Sequence, residues 1–199
     1  EHHAVLDSAE WLEKHDGPKL IKVPVTRDGI LNIEELKKVV DEHRNDIALI
    51  AIMHANNEIG TVQPIAEIVK IAGDIPVHTD AVQSFCKVDF DFEKMGVTTA
   101  AISGHKLGAP LGVAALILKH GLDITPILHG GGQERDIRSS TVNAPGIVSF
   151  ATAVDQALAH MADNYSKMSS LQFQLREDIL REVPNARING WAQEILPNI

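Results

Sequence analysis

The sequence predicts an α/β protein built on a mostly parallel sheet flanked by helices. Three observations carry that reading. Short apolar runs of strand length alternate with segments of helical periodicity, as parallel sheets require. Polar residues cluster just past the ends of those runs, where ligands bind in such sheets. At 199 residues, 44% hydrophobic and 23% charged, the chain is long enough and apolar enough to bury a core.

The elements follow in order. Val5, Leu6, Ala9 and Leu12 sit at helical spacing. The stretch from Leu20 to Val25 predicts a short strand, and Arg27-Asp28-Gly29 a turn. Asn32, with Glu35 three residues on, is a capping box. The helix behind it carries Ile33, Leu36, Val39 and Val40 on one face. The continuous run from Ile47 to Met53 predicts a strand buried on both faces. Pro64 suits the first position of a helix that ends near Gly73. Residues 75–79, 98–103 and 113–118 predict three more strands. From about Pro145 the sheet signal stops, and Phe150, Val154, Leu158, Met161, Tyr165, Met168, Gln172 and Leu175 track a helical face. That face predicts one long helix, or two in sequence, broken before Pro184. Residues from Ala186 onward are too few to fold alone.

Composition narrows the function classes. A net charge of −9 argues against a nucleic-acid surface, which needs clustered Lys and Arg. The apolar runs are too short for a membrane-spanning helix. Cys86 is the only cysteine, so neither an internal disulfide nor a cysteine-rich metal site can form. No start methionine and no targeting pattern stand at Glu1, and the chain reads as a piece of a longer protein.

Chemistry concentrates at two strand ends. Lys106 closes Ser103-Gly104-His105-Lys106, after an apolar strand and before Leu107-Gly108-Ala109-Pro110. Burial there lowers the pKa of an amine and leaves it nucleophilic toward an aldehyde. Alone, Lys106 reads more simply as a solvated turn lysine. Asp80 ends the preceding strand, so a parallel sheet brings both to one edge. An acid beside a pyridine nitrogen keeps a pyridoxal ring protonated, although an Asp in this place is also a common helix cap. His54, His78 and Asp80 suggest a metal site only weakly, because no third ligand stands at a recognisable spacing. Gly130-Gly131-Gly132 lacks the phosphate-loop pattern.

His78-Thr79-Asp80-Ala81-Val82-Gln83-Ser84 followed by Ser103-Gly104-His105-Lys106-Leu107-Gly108-Ala109-Pro110 resembles the paired signature of the class V aminotransferase group. The resemblance is greatest to the NifS/IscS-like cysteine desulfurases. Glu1 through Leu6 resembles that family's cofactor-stacking segment. Met53 through Gly60 resembles its Asn-Asn-Glu-x-Gly loop, and His129 through Thr141 its glycine-rich stretch. Five colinear motifs cover essentially the whole chain.

The resemblance implies a fold, a cofactor and roles. The fold is the large domain of the type I pyridoxal-phosphate (PLP)-dependent transferases. Residues 1–165 would be its PLP-binding core without its N-terminal part, and 166–199 a connecting helix and the start of a small C-terminal domain. Lys106 would hold the cofactor as a Schiff base and move the α-proton. Asp80 would pair with the ring nitrogen and His3 would stack on the ring. Asn57 and Gln83 would bond near the phenolic oxygen and the substrate. Ser103 and His105 would hold the phosphate, and Thr141 would reach the phosphate of a partner subunit in a homodimer. No metal is implied.

The implied reaction converts L-cysteine to L-alanine, with sulfur carried as an enzyme-bound persulfide to acceptors for iron–sulfur clusters or tRNA thiolation. The setting would be cytoplasmic, without direct nucleic-acid or membrane binding. The catalytic cysteine loop and the substrate-carboxylate arginine are expected beyond Ile199, and a phosphate-binding Thr turn before Glu1. Cys86 stands where a small residue is usual, and packing is its expected role. Ser140 stands where Gly is usual, and Leu111 where Lys is frequent. Selenocysteine lyase, another class V aminotransferase, and a non-catalytic module of the same fold are the competing readings.

Overall fold

A computed structural model describes residues 1–190 and 194–199. Helix α1 (His3–Lys14) opens the chain, and His2 caps it by accepting from the Ala4 N–H. Helix α2 (Ile33–His43) begins as the capping box predicts, with Asn32 Oδ1 accepting from the Glu35 N–H at 3.2 Å. Helix α3 (Ile65–Ala72) follows Pro64 and stops at Gly73, whose φ of 67° closes the helix in a way β-branched residues resist. The remaining helices are the short α4 (Phe92–Met95), α5 (Ala144–Ala159) and α6 (Met161–Glu182). The long helical periodicity thus resolves into two helices, parted at His160.

One four-stranded sheet runs β1 (Ile50–Met53), β2 (Val77–Asp80), β3 (Thr99–Ser103), β4 (Ala114–Leu118), in that spatial order. The first three strands are parallel, and helices supply the crossovers. β4 departs from the expected parallel pattern: it pairs antiparallel with β3, from Thr99↔Leu118 to Ser103↔Ala114. The connection holds only the 3-10 turn Gly104–Leu107 and a short loop, too little for a crossover, so the chain doubles back.

Two strand expectations fail locally. Residues 20–25 form no strand; Val25 makes a single antiparallel bridge to Leu31. Residues 47–49 stay outside β1, and Ala51 within it is exposed, so that run is not buried on both faces.

The main core lies where α2 and α3 meet the sheet, through Leu36, Val40, Ile65, Ile68, Val77 and Ala100. A second cluster of Ala81, Ile102, Val113 and Phe150 packs α5 beneath the β3–β4 connection. The tail does not stand alone. Leu196 is fully buried against Ala55, Val62 and Val88, its N–H donates to Gly60 O at 2.7 Å, and Gln172 Nε2 donates to Leu196 O at 2.9 Å. The expected second unit, 166–199, includes residues 191–193, which lie outside the described residues.

Candidate active site

The register of the parallel strands builds the site. Met53 pairs with Asp80, and Asp80 with Ala101. Partners across a parallel ladder share a face, and residues two apart on one strand do too. Met53, Asp80 and Ser103 therefore converge on one face at the carboxyl edge of β1, β2 and β3. Adjacent strands lie roughly 5 Å apart, so these positions are neighbours along that edge.

Asp80 is buried to 8% exposure at the end of β2. Its Oδ1 accepts from the Val82 N–H at 2.9 Å, so the carboxylate also bends the chain into the turns of residues 81–88. The capping role and an acid role are thus compatible: one oxygen holds the turn.

After Ser103 the chain winds into the 3-10 turn Gly104–Leu107, which carries His105 and Lys106. A Cβ on Gly104 would meet Ala109 Cβ and Val113 Cγ1 at 3.0 Å and Phe150 at 3.2 Å, so a side chain there would have to push its neighbours aside. Ser103 Oγ and His105 Nδ1 lie 2.7 Å apart, one donating to the other according to the imidazole tautomer. Lys106 is exposed, which corrects the expectation that burial activates its amine.

The other expected residues surround this edge unevenly. Gln83 is half-buried on the turn after Asp80, and its Oε1 accepts from Lys87 Nζ at 3.4 Å. Asn57 is half-buried, donating from Nδ2 to Glu58 Oε1 at 2.7 Å, while Asn56 Oδ1 shapes the loop by accepting from the N–H groups of Glu58 and Ile59. His3 is exposed and paired with Asp7 at 2.9 Å, and that contact raises its pKa. The start of α1 is nonetheless tied to the strand edge, because the Met53 N–H donates to Glu1 Oε1 at 2.5 Å. Desolvation raises the Glu1 pKa, and the charge of Asp80 adds to the rise.

Thr141 is exposed at the end of the glycine-rich stretch. That stretch is braced internally, with the Ser140 N–H donating to Gln133 Oε1 at 3.1 Å. Ser140, standing where glycine was expected, has φ 138°, outside the regions an L-residue prefers. Cys86 is buried, and desolvation raises its thiol pKa, as suits a packing role.

His54 and His78 have other partners than a metal. His54 Nδ1 lies 2.8 Å from Ser84 Oγ, and His78 Nδ1 lies 2.7 Å from Thr99 Oγ1. Lys87 escaped the sequence reading. It is half-buried, and its pKa is lowered by burial and then by the charge of Lys106. Its position four residues after Gln83, on a turn, was the available signal.

The donor set fits PLP: a buried carboxylate, an amine on the neighbouring strand end, and hydroxyl, imidazole and amide groups for anionic oxygens. Comparison with known proteins points the same way. The class V aminotransferase family matches residues 1–198. The chain is 40% identical over 192 residues to the IscS-like cysteine desulfurase of Mycobacterium tuberculosis, covering 96% of this chain and 49% of that protein. The solved NifS-like protein from Rickettsia africae superposes with a TM-score of 0.90 at 34% identity, covering 99% of this chain and 54% of the other. The structure of "SspA in complex with cysteine" superposes at 0.72 with 38% identity, over 78% of this chain and 45% of that one. The chain spans about half the length of the curated relatives it matches. Family match, identity and superposition agree, and the chain belongs to the class V aminotransferases, the PLP-dependent family that includes the cysteine desulfurases.

Proposed function

We propose that this chain is the cofactor-binding half of a PLP-dependent cysteine desulfurase, which converts L-cysteine to L-alanine and leaves sulfur as an enzyme-bound persulfide. The observation that carries the reading is the shared carboxyl edge of β2 and β3, with Asp80 ending one strand and Ser103-Gly104-His105-Lys106 leaving the other. The cysteine-bound relative supports the substrate class.

When bound, PLP supplies an electron sink for negative charge developing at the substrate α-carbon. The chain's residues do the rest. Lys106 Nζ would hold the cofactor covalently and, as a free amine, would take the α-proton. The Asp80 carboxylate keeps the ring nitrogen protonated. His3 would stack on the ring, Ser103 and His105 would bind the phosphate, and Asn57 and Gln83 would donate amide hydrogens to the phenolic oxygen and the substrate. In this reading the sulfur-accepting cysteine lies outside these 199 residues, and buried Cys86 does not replace it.

The rest of the reading concerns assembly and setting. Residues 1–165 form the PLP-binding core, and α6 leads toward a second, smaller domain. The enzyme is a cytoplasmic homodimer in which Thr141 serves the partner subunit's phosphate, and it passes sulfur to acceptors for cluster assembly or tRNA thiolation. Exposed Ile127, Ile147 and Val148, near Thr141 in sequence, support a subunit contact there.

The test uses the whole protein. Loading with PLP is expected to give a visible absorbance band that Lys106→Ala abolishes, and cysteine is expected to yield alanine with sulfide under reducing conditions. A band that survives Lys106→Ala sinks the covalent role. Amino-group transfer to a keto acid without sulfide release makes the protein an aminotransferase instead.

A further inference from the structure

Lys87 is a half-buried cation that the roles assigned so far leave without a task. Lys87 sits on the turns that follow β2, where its N–H donates to Ser84 O at 2.9 Å. No ion pair among the described residues includes it. Instead its Nζ donates to Gln83 Oε1, one helical turn back, at 3.4 Å. Taking a cation partly out of water is costly without a partner, so this contact needs a reason.

The groups around Lys87 are few. Lys106 is close enough to lower its pKa after burial has done so. Asp89, Tyr165 of α6 and Glu194 of the tail line a cavity of about 360 Å³ beside it. Neither Asp89 nor Glu194 lies within ion-pair distance, and among the described residues the Gln83 amide oxygen is the side-chain acceptor.

An ammonium is a donor with no acceptor, and a carboxamide has one oxygen and one NH₂. Beside Lys87, Gln83 can turn only its oxygen toward the ammonium; the flipped amide would set donors against donors. That fixes the NH₂ on the far side, pointing away from Lys87. We propose that Lys87 is a positioning residue that locks the Gln83 amide so its Nε2 hydrogens are presented to an anionic ligand oxygen, the phenolate of the pyridoxal ring. The proposal rests on the cofactor reading above and adds a residue to it.

The experiment follows the visible band of the PLP-loaded whole protein as a function of pH. A phenolate that loses its amide donor holds the shared proton more tightly, so the pH midpoint of the spectral change rises. Lys87→Met removes the donor and keeps the apolar stem; its midpoint is expected about one pH unit higher, a tenfold change in proton affinity. Lys87→Arg restores a donor-only cation and is expected to return most of the shift, which keeps the test open should the Met variant fold poorly. In a Gln83→Ala background, Lys87→Met is expected to move the midpoint by less than a third as much. An unchanged midpoint in Lys87→Met overturns the proposal. So does an equal shift with and without Gln83, which means that the charge acts directly. A parent protein with no visible band fails differently, at the cofactor reading itself.

Discussion

Thr79 carries a hydroxyl that the fold does not use. It is fully buried in β2, and its Oγ1 has no hydrogen-bond partner among the described residues. A buried polar atom left unsatisfied costs about 1–3 kcal/mol, whereas an apolar group of the same shape costs nothing. Thr79→Val keeps the branched shape a strand favours, and it is expected to raise the unfolding free energy by about 1 kcal/mol in chemical denaturation. A loss of stability would mean that the hydroxyl has a partner after all. Ser140 offers the complementary case in the backbone. Its φ of 138° belongs to a region that glycine occupies freely. Strain of this kind is worth about 1–3 kcal/mol, offset by the greater freedom of an unfolded glycine, about 0.4–1 kcal/mol. Ser140→Gly is therefore expected to stabilise by about 1 kcal/mol, read as a higher denaturation midpoint with an unchanged slope. A neutral result would place the strain elsewhere in the glycine-rich stretch.

The 3-10 turn Gly104–Leu107 joins the sheet to Lys106, and its seat is tight. A methyl group at residue 104 meets Ala109 and Val113 at 3.0 Å and Phe150 at 3.2 Å, all packed groups with little room to retreat. Overpacking of this kind costs about 1–3 kcal/mol. Gly104→Ala is expected to destabilise by that amount and to weaken PLP loading more than Ser103→Ala does, because it lifts His105 and Lys106 together. Equal loading in the two variants would show that the turn tolerates displacement. At this scale the sequence was most readable where local chemistry decides. Asn32 with Glu35, Pro64 with Gly73, and the ends of β2 and β3 all follow from caps, punctuation and apolar runs. The direction of β4 was not readable from its own residues; it depends on the short connection after Ser103. Residues 20–25 have strand-like composition but find no ladder beyond the Val25–Leu31 bridge. Lys87 was missed because its meaning lies in a side-chain contact rather than a motif, and the choice between a buried Lys106 and a solvated turn lysine stayed open because strand-end position says nothing of exposure.

At the scale of the molecule, His54 just past β1 and His78 in β2 are expected to shape how folding responds to acid. His54, just past β1, is buried near Ser84 and Phe90, and desolvation pushes its pKa down to about 4. The charge of Asp89 opposes that shift without reversing it. His78 in β2 is lowered in the same direction for the same reason, against the charge of Asp80. A histidine whose folded pKa lies below the unfolded value of about 6.5 binds its proton more readily when the chain opens. Its contribution is therefore fully present above about pH 6.5 and is lost as the pH falls through the folded value. For His54 the window runs from about 6.5 down to about 4, and the stability at stake is on the order of 3 kcal/mol. Glu1 acts oppositely: its raised pKa favours the folded chain below the ordinary carboxylate range, and that contribution fades as the pH rises through the folded value. The expected profile is a fall in unfolding free energy between pH 6.5 and 4, steeper than exposed carboxylates produce. His54→Asn preserves a polar group opposite Ser84 but cannot titrate, so its profile is expected to flatten across that window while remaining unchanged above pH 7 apart from a constant offset. A variant whose acid slope matches that of the parent would assign the fall to other groups, His78 among them.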